Sequence, residues 1–257
     1  MRQDEVTALR STSFGAIAND YDRFRPGPPE AAVDWLVPAG ATDVLELGAG
    51  TGALTRRLIA RVDHVRAVEP DERMRRVLAE RVSGAEIEAG TAEAIPAENA
   101  SFDAVMMASA WHWVDEDKAL PEVDRVLRPG GRLALIWSGP DRNVDWVKSV
   151  FVGGRKLTKE QSEVLDAHRH DRHSVHLGDH SPFSEPEREY LRWTLEMSKD
   201  EIVGLVGTFS VAITMDEHKR AAHLDAVGRH LDTLAHQANG GRFSVPMRCL
   251  CWRATLR

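Results

Sequence analysis

The run Val44-Leu45-Glu46-Leu47-Gly48-Ala49-Gly50-Thr51-Gly52 limits the folds open to this chain more than any other segment. An apolar strand feeds three glycines spaced two apart, and the helical pattern Leu54, Leu58, Ile59, Val62 follows at once. Glycine alone lets the backbone turn that sharply while leaving bare peptide groups for a ligand to lie against. Glu69 stands 17 residues beyond Gly52, at the end of the next apolar run, Val65, Ala67 and Val68. In a strand–helix–strand unit the tips of adjacent strands are neighbours, so this carboxylate can accept both hydroxyls of a ribose. The pattern therefore predicts a ligand that contains a nucleoside.

The rest of the chain follows the same alternation. Strands are predicted near Asp43–Leu47, Val65–Glu69, Glu86–Ala89, Phe102–Ala108 and Arg132–Trp137. Helices are predicted over Ala53–Arg61, Asp71–Val82 and from about Asp117, with Pro121 expected in a first turn, where proline is tolerated. Two short helices precede this core, Ser11–Arg25 and Glu30–Val37, separated by Pro26-Gly27-Pro28-Pro29. The first ten residues have no periodicity and are expected to fray. Beyond Trp137 the character changes. Residues 138–186 read as a polar lid or insertion with helical fragments at Val144–Phe151 and Lys159–His168. Leu191, Trp193, Leu195 and Met197 alternate with polar residues, a short helix spans Lys199–Val206, and a long one starts at Asp216. Phe243, Val245, Met247, Cys249 and Cys251 make a final alternating strand, its well-paired part expected after Pro246. The expected organisation is one domain over 1–257: a helical cap 1–37, a core 38–137, the insertion 138–186, and closing strands and helix 187–257.

Bulk properties exclude several function classes. A formal charge of −7 argues against a nucleic-acid partner, whose phosphates would demand a basic face, although a local patch could still be basic. No apolar run approaches the ~20 residues that cross a bilayer, so no membrane partner is expected. Cys249 and Cys251 would share a strand face too far apart for an easy bridge, which suits reduced thiols and a cytoplasmic location. No serine nucleophile elbow, metal-protease helix or phosphate-loop lysine is present. His168, His170, His173, His176 and His180 crowd together with Arg169, Arg172, Asp171 and Asp179, but lack the cysteines of a typical closed site. No metal is expected there, and a polar surface or a cationic lid for an acidic acceptor fits better. His218, His223, His230 and His236 are expected on the polar face of the last helix.

Further motifs narrow the nucleoside. Glu69-Pro70, then Gly90-Thr91-Ala92-Glu93-Ala94-Ile95-Pro96 before Phe102-Asp103-Ala104-Val105, and finally Val126-Leu127-Arg128-Pro129-Gly130-Gly131 form one ordered set. In this set the chain resembles the class I S-adenosylmethionine-dependent methyltransferases, in the small-molecule group with the quinone-biosynthesis and trans-aconitate enzymes. The resemblance covers residues 44–137 and, more weakly, Phe14-Gly15-x-x-Ala18-x-x-Tyr21-Asp22 and the last two strands. It implies an α/β, doubly wound, Rossmann-like sheet of seven strands in the order 3-2-1-4-5-7-6, strand 7 antiparallel, with helices on both faces.

By the same resemblance, Gly48, Gly50 and Gly52 face the methionine part of S-adenosylmethionine, Glu46 closes the strand end beside them, and Glu69 holds the ribose. Pro70 and Asp71 lie along the adenine. Thr91 and Ala92 fall at its edge, although Thr91 stands where related enzymes often carry an aspartate. The backbone carbonyl of Ser109 meets the methionine ammonium, and Tyr21 is a lid contact. His112, in Ala110-Trp111-His112-Trp113 after the fourth strand, is the candidate base or acceptor-orienting residue. Trp111 and Trp113 either wall an acceptor or pack the sheet edge. The implied reaction is methyl transfer to oxygen, nitrogen or carbon of a small molecule, a carboxylate among the candidates, leaving S-adenosyl-L-homocysteine. The expected state is a monomer or homodimer. Two alternatives stay open. An NAD(P)-dependent oxidoreductase would accept Gly48-x-Gly50-x-x-Ala53, but a Tyr-x-x-x-Lys pair is missing. A non-catalytic S-adenosylmethionine-binding module would keep the fold without the chemistry.

Overall fold

A computed structural model describes residues 14–152, 154, 175–178 and 181–257. The helical fragment expected at Lys159–His168 and most of the histidine-rich stretch lie outside the described residues. The strands are β1 Asp43–Leu47, β2 His64–Val68, β3 Glu86–Glu88, β4 Phe102–Ala108, β5 Leu127–Pro140, β6 Glu187–Ser198, β7 Ala238–Asn239 and β8 Arg242–Thr255. The helices are α1 Ala18–Phe24, α2 Glu30–Leu36, α3 Thr55–Leu58, α4 Glu72–Arg81, α5 Glu116–Val126, α6 Asp145–Phe151, α7 Lys199–Gly207, α8 Ser210–Ile213 and α9 Glu217–Thr233.

The sheet runs β3-β2-β1-β4-β5-β8-β6, with two-residue β7 paired to β8 as a hairpin. Its first five strands are parallel. β8 runs against β5: Leu256 N–H donates to Gly131 O at one end, and Asp141 N–H to Pro246 O at the other. Setting β7 aside, this is the expected order with the last long strand antiparallel. β1 and β4 are buried along almost their whole length, as a strand covered on both faces requires.

The chain forms two compact units. The first comprises the described parts of Pro26–Ser138, His173–Leu191 and Cys249–Arg257. Its core joins Leu45, Leu47, Val105, Leu133 and Leu135 to Trp111 and Trp252. The second comprises the described parts of Met1–Arg25, Gly139–Arg172 and Arg192–Arg248. Here Ile202, Leu205, Val227, Leu231, Phe243 and Met247 share a core. A capping box fixes the start of α7, Ser198 Oγ accepting from Glu201 N–H while the Glu201 carboxylate accepts from Ser198 N–H.

Four local expectations are corrected. Pro121 sits inside α5 and not in its first turn. It is exposed, as is Asp117 four residues before it, so the carbonyl released by the missing N–H faces water. β5 starts at Leu127 and not Arg132, since Gly130 N–H and Gly131 O bond Leu256 and draw the Pro-Gly-Gly turn into the sheet. β8 is paired before Pro246, whose carbonyl accepts although its nitrogen cannot donate. His230 is only partly exposed: its Nε2 lies 2.7 Å from Ser149 Oγ.

Candidate cofactor and acceptor site

The glycine turn in the first unit forms because three alternate positions adopt left-handed backbone, with φ of +64° at Gly48, +58° at Gly50 and +89° at Gly52. Side chains rarely tolerate that region. The three glycines do different work. A Cβ on Gly52 would lie 2.4 Å from Leu78 Cδ1 and 2.7 Å from Val82 Cγ2, so this position lets α4 pack close. A Cβ on Gly48 would meet Ala110 Cβ at 2.9 Å. Gly50 faces open space, with nothing within 4 Å. Of the three, only Gly50 leaves its peptide surface open.

Glu69 stands beside that surface at the tip of β2. One carboxylate oxygen accepts from Gly50 N–H at 2.9 Å and the other from Asp71 N–H at 2.9 Å. Only 7% of the residue is exposed. Burial raises its pKa, the two backbone donors oppose the rise, and each oxygen keeps a lone pair for a hydroxyl. Arg75 Nη1 holds the carbonyls of Glu69 and Pro70 at 2.7 and 2.6 Å, fixing this corner. Asp71 caps α4 and bonds Arg73, whose guanidinium holds its carboxyl below the usual range.

Glu46 is buried behind the turn, 1% exposed. Its pKa is pushed up to about 8, chiefly by burial and further by Glu69, while a 2.6 Å bond from Thr55 Oγ1 and the charge of Arg56 pull against the rise. Thr55 and Arg75 were missed at the sequence level. Both act from the turn of helix that follows a strand tip, a position readable once the strands are placed.

The other expected residues divide. Thr91 is exposed and bridges Ala94, whereas Ala92 belongs to the core. Ser109 follows β4 directly with a left-handed φ of +55°, its N–H donating to Ile136 O. A non-glycine residue held in this region at a strand tip marks a locally strained backbone. Trp111, His112 and Trp113 form a short 3-10 turn just beyond. Trp111 is 1% exposed and gives its indole N–H to Glu116 Oε1 at 2.6 Å, so of the two uses open to it, it packs the core. His112 and Trp113 are partly exposed, their rings 4.6 Å apart. Tyr21 belongs to the second unit, where it packs edge-on against Phe14.

This sheet order, with its glycine turn and acidic strand tip, defines a class I methyltransferase fold. Residues 45–135 match the family described as a methyltransferase domain. An uncharacterized methyltransferase of Mycobacterium tuberculosis is 41% identical over 246 residues, 96% of each chain. A Schizosaccharomyces pombe protein described as an uncharacterized methyltransferase is 39% identical over 134 residues, 50% of this chain and 53% of that one. Among solved structures, a candidate type II methyltransferase from Anaeromyxobacter dehalogenans aligns with a TM-score of 0.62 at 26% identity, covering 90% of this chain and 97% of the other. The chain belongs to the class I S-adenosylmethionine-dependent methyltransferase family and is an enzyme of methyl transfer. Among the described residues, no helix is long and apolar enough to cross a membrane.

Proposed function

We propose that the protein transfers a methyl group from S-adenosylmethionine to a small-molecule acceptor, on a site built at Gly48–Gly52, Glu69 and the turn after β4. The observation that carries this reading is the pairing of an open Gly50 surface with the Glu69 carboxylate bonded to Gly50 N–H. A ribose needs such an acceptor for its diol, and the thioether chain needs backbone without side chains, so the residues present fit the group. Pro70 and Asp71 would flank the adenine, with Thr91 and Ala92 at its edge and Ser109 O toward the ammonium.

When bound, S-adenosylmethionine supplies a methyl carbon on a positively charged sulfur, already activated for displacement. The protein's own work is alignment and exclusion of water. Arg75 and the backbone bonds to Glu69 hold the ribose-facing carboxylate in place before any ligand arrives. His112, with Trp113 against it, faces the acceptor in this reading. It orients the acceptor's heteroatom and takes its proton where one must leave. Two reduced thiols, Cys249 and Cys251 with sulfurs 3.8 Å apart, suit a cytoplasmic enzyme.

The test is a methyl-transfer screen. The intact chain, with isotope-labelled S-adenosylmethionine and a panel of small carboxylic acids, phenols and amines, should label at least one acceptor. His112→Ala should lower the rate on that acceptor while leaving cofactor affinity within about twofold. Binding of the cofactor without transfer to any acceptor would favour a non-catalytic module.

A further inference from the structure

In the second unit, two guanidiniums meet the end of one helix. α7 ends at Gly207, and its last carbonyls would ordinarily face water or one capping donor. Here two guanidiniums reach that end from different elements. Arg25, the residue that ends α1, donates from Nε to Thr208 Oγ1 at 2.9 Å and from Nη2 to Thr208 O at 3.1 Å. Arg220, on α9, approaches Gly207 O from Nη2 at 3.4 Å. The Arg25 guanidinium also lies over the Phe209 ring, 3.9 Å from its centroid, and Arg142 lies over the same ring at 5.2 Å.

A capping role accounts for only part of this. Each guanidinium has five N–H donors, and these bonds use two of Arg25's and one of Arg220's. Arg220 Nε is buried and has no partner among the described residues. No carboxylate of the described residues lies within 4.0 Å of either group, although Arg125 and Arg253 each hold one and Arg61 and Arg128 each hold two. Burial lowers the pKa of Arg25, and the nearby Tyr21 is the group that opposes it. Among the described residues neither guanidinium has an anion, and a buried guanidinium is costly to keep unless an anion neutralises it.

We propose that Arg25 and Arg220 form a binding site for the oxyanion group, carboxylate or phosphate, of a small acidic molecule. The planar fork of Arg25, held flat by Phe209 and anchored at Thr208, leaves Nη1 to make a charge-assisted bond, and Arg220 Nε on α9 is a second donor without a partner among the described residues. Thr208 fixes the first guanidinium because its hydroxyl is itself committed, donating to Leu205 O at 2.7 Å. The site lies within one unit and does not depend on the assignment of the cofactor.

The intact chain is titrated with succinate and, separately, with inorganic phosphate, each against sodium chloride at equal ionic strength. The melting temperature is followed together with the arginine Nε–Hε signals of a nitrogen-15 spectrum. The expected result is a saturable rise with at least one oxyanion and not with chloride, with shifts at the Arg25 and Arg220 signals. The tighter of the two anions identifies the group. Arg25→Gln and Arg220→Gln should each weaken binding at least tenfold, and Arg25→Lys should recover part of the loss. Should Arg25→Gln not fold, Arg220→Gln decides alone. An equal response to chloride, or unchanged anion affinity in folded variants, overturns the proposal.

Discussion

The buried acid behind the glycine turn makes stability depend on pH in a direction opposite to most carboxylates. Glu46 has its pKa raised from 4.5 to about 8 by burial in the first unit. The folded state therefore holds a proton there between those values, while the unfolded chain has released it. Stability falls as pH rises through that window, at ~1.4 kcal/mol per pH unit, and levels off above the folded value. Between pH 5.5 and 8 the loss is roughly 3 kcal/mol by the same relation. Glu46→Gln keeps the shape and still accepts the Thr55 hydroxyl, but it cannot ionise. The assay is the melting temperature of both proteins from pH 5.5 to 8.5. At ~2–4 °C per kcal/mol for a chain of this size, the wild type should lose on the order of 10 °C relative to Glu46→Gln across that range. Parallel curves would refute the reasoning, since they would mean that Glu46 is either ionised or equally protonated in both states.

Three other substitutions separate packing from binding. Gly52→Ala should destabilise by roughly 2–4 kcal/mol, combining overpacking against Leu78 and Val82 with left-handed strain. Gly50→Ala meets no neighbour, so its cost should be about 1–2 kcal/mol from the backbone alone. Its cofactor dissociation constant should nevertheless rise at least tenfold, and unchanged affinity in calorimetry would contradict the ligand surface assigned there. Asp103→Asn tests the opposite pH sign. Although burial opposes it, Asp103 accepts from the N–H groups of Asp43 and Thr42 and from Arg128, which hold its pKa at about 2 instead of 3.8. Its contribution of about 2 kcal/mol is fully present above the unfolded pKa and lost as pH falls through the folded one. The gap between wild type and Asp103→Asn in denaturant melts should therefore close near pH 2.

The fold was legible where one local rule dominates. β1 and β4 fall on the expected residues because strands buried on both faces leave an unbroken apolar run. Asp71 and Asp216 mark helix starts as side-chain caps. Expectations failed where a partner distant in sequence decided the outcome. Leu256 extends β5 through a Pro-Gly-Gly turn that reads as an end, and Asp141 N–H gives Pro246 a ladder role through its carbonyl, although its nitrogen cannot donate. In the site, glycine spacing and Glu69 identified the strand tips. They could not distinguish Gly50, which is open, from Gly52, which is filled by Leu78. Trp111 and Trp113 look equivalent in sequence, and only Glu116 and the core separate them. The charge state of Glu46 follows from the depth of burial, which a sequence does not carry.

The central claim is that the Gly50 surface and Glu69 hold S-adenosylmethionine. Isothermal titration of the wild type and of Glu69→Ala with S-adenosylmethionine and S-adenosyl-L-homocysteine tests it most directly. The wild type should bind both, and ligand at 100 times its dissociation constant should stabilise by about 2.7 kcal/mol. Glu69→Ala should bind at least tenfold more weakly through lost ribose bonds, each worth about 1.5–3 kcal/mol to a charged acceptor. No heat with either ligand, alongside binding of a nicotinamide dinucleotide, or equal affinity in Glu69→Ala, would contradict it.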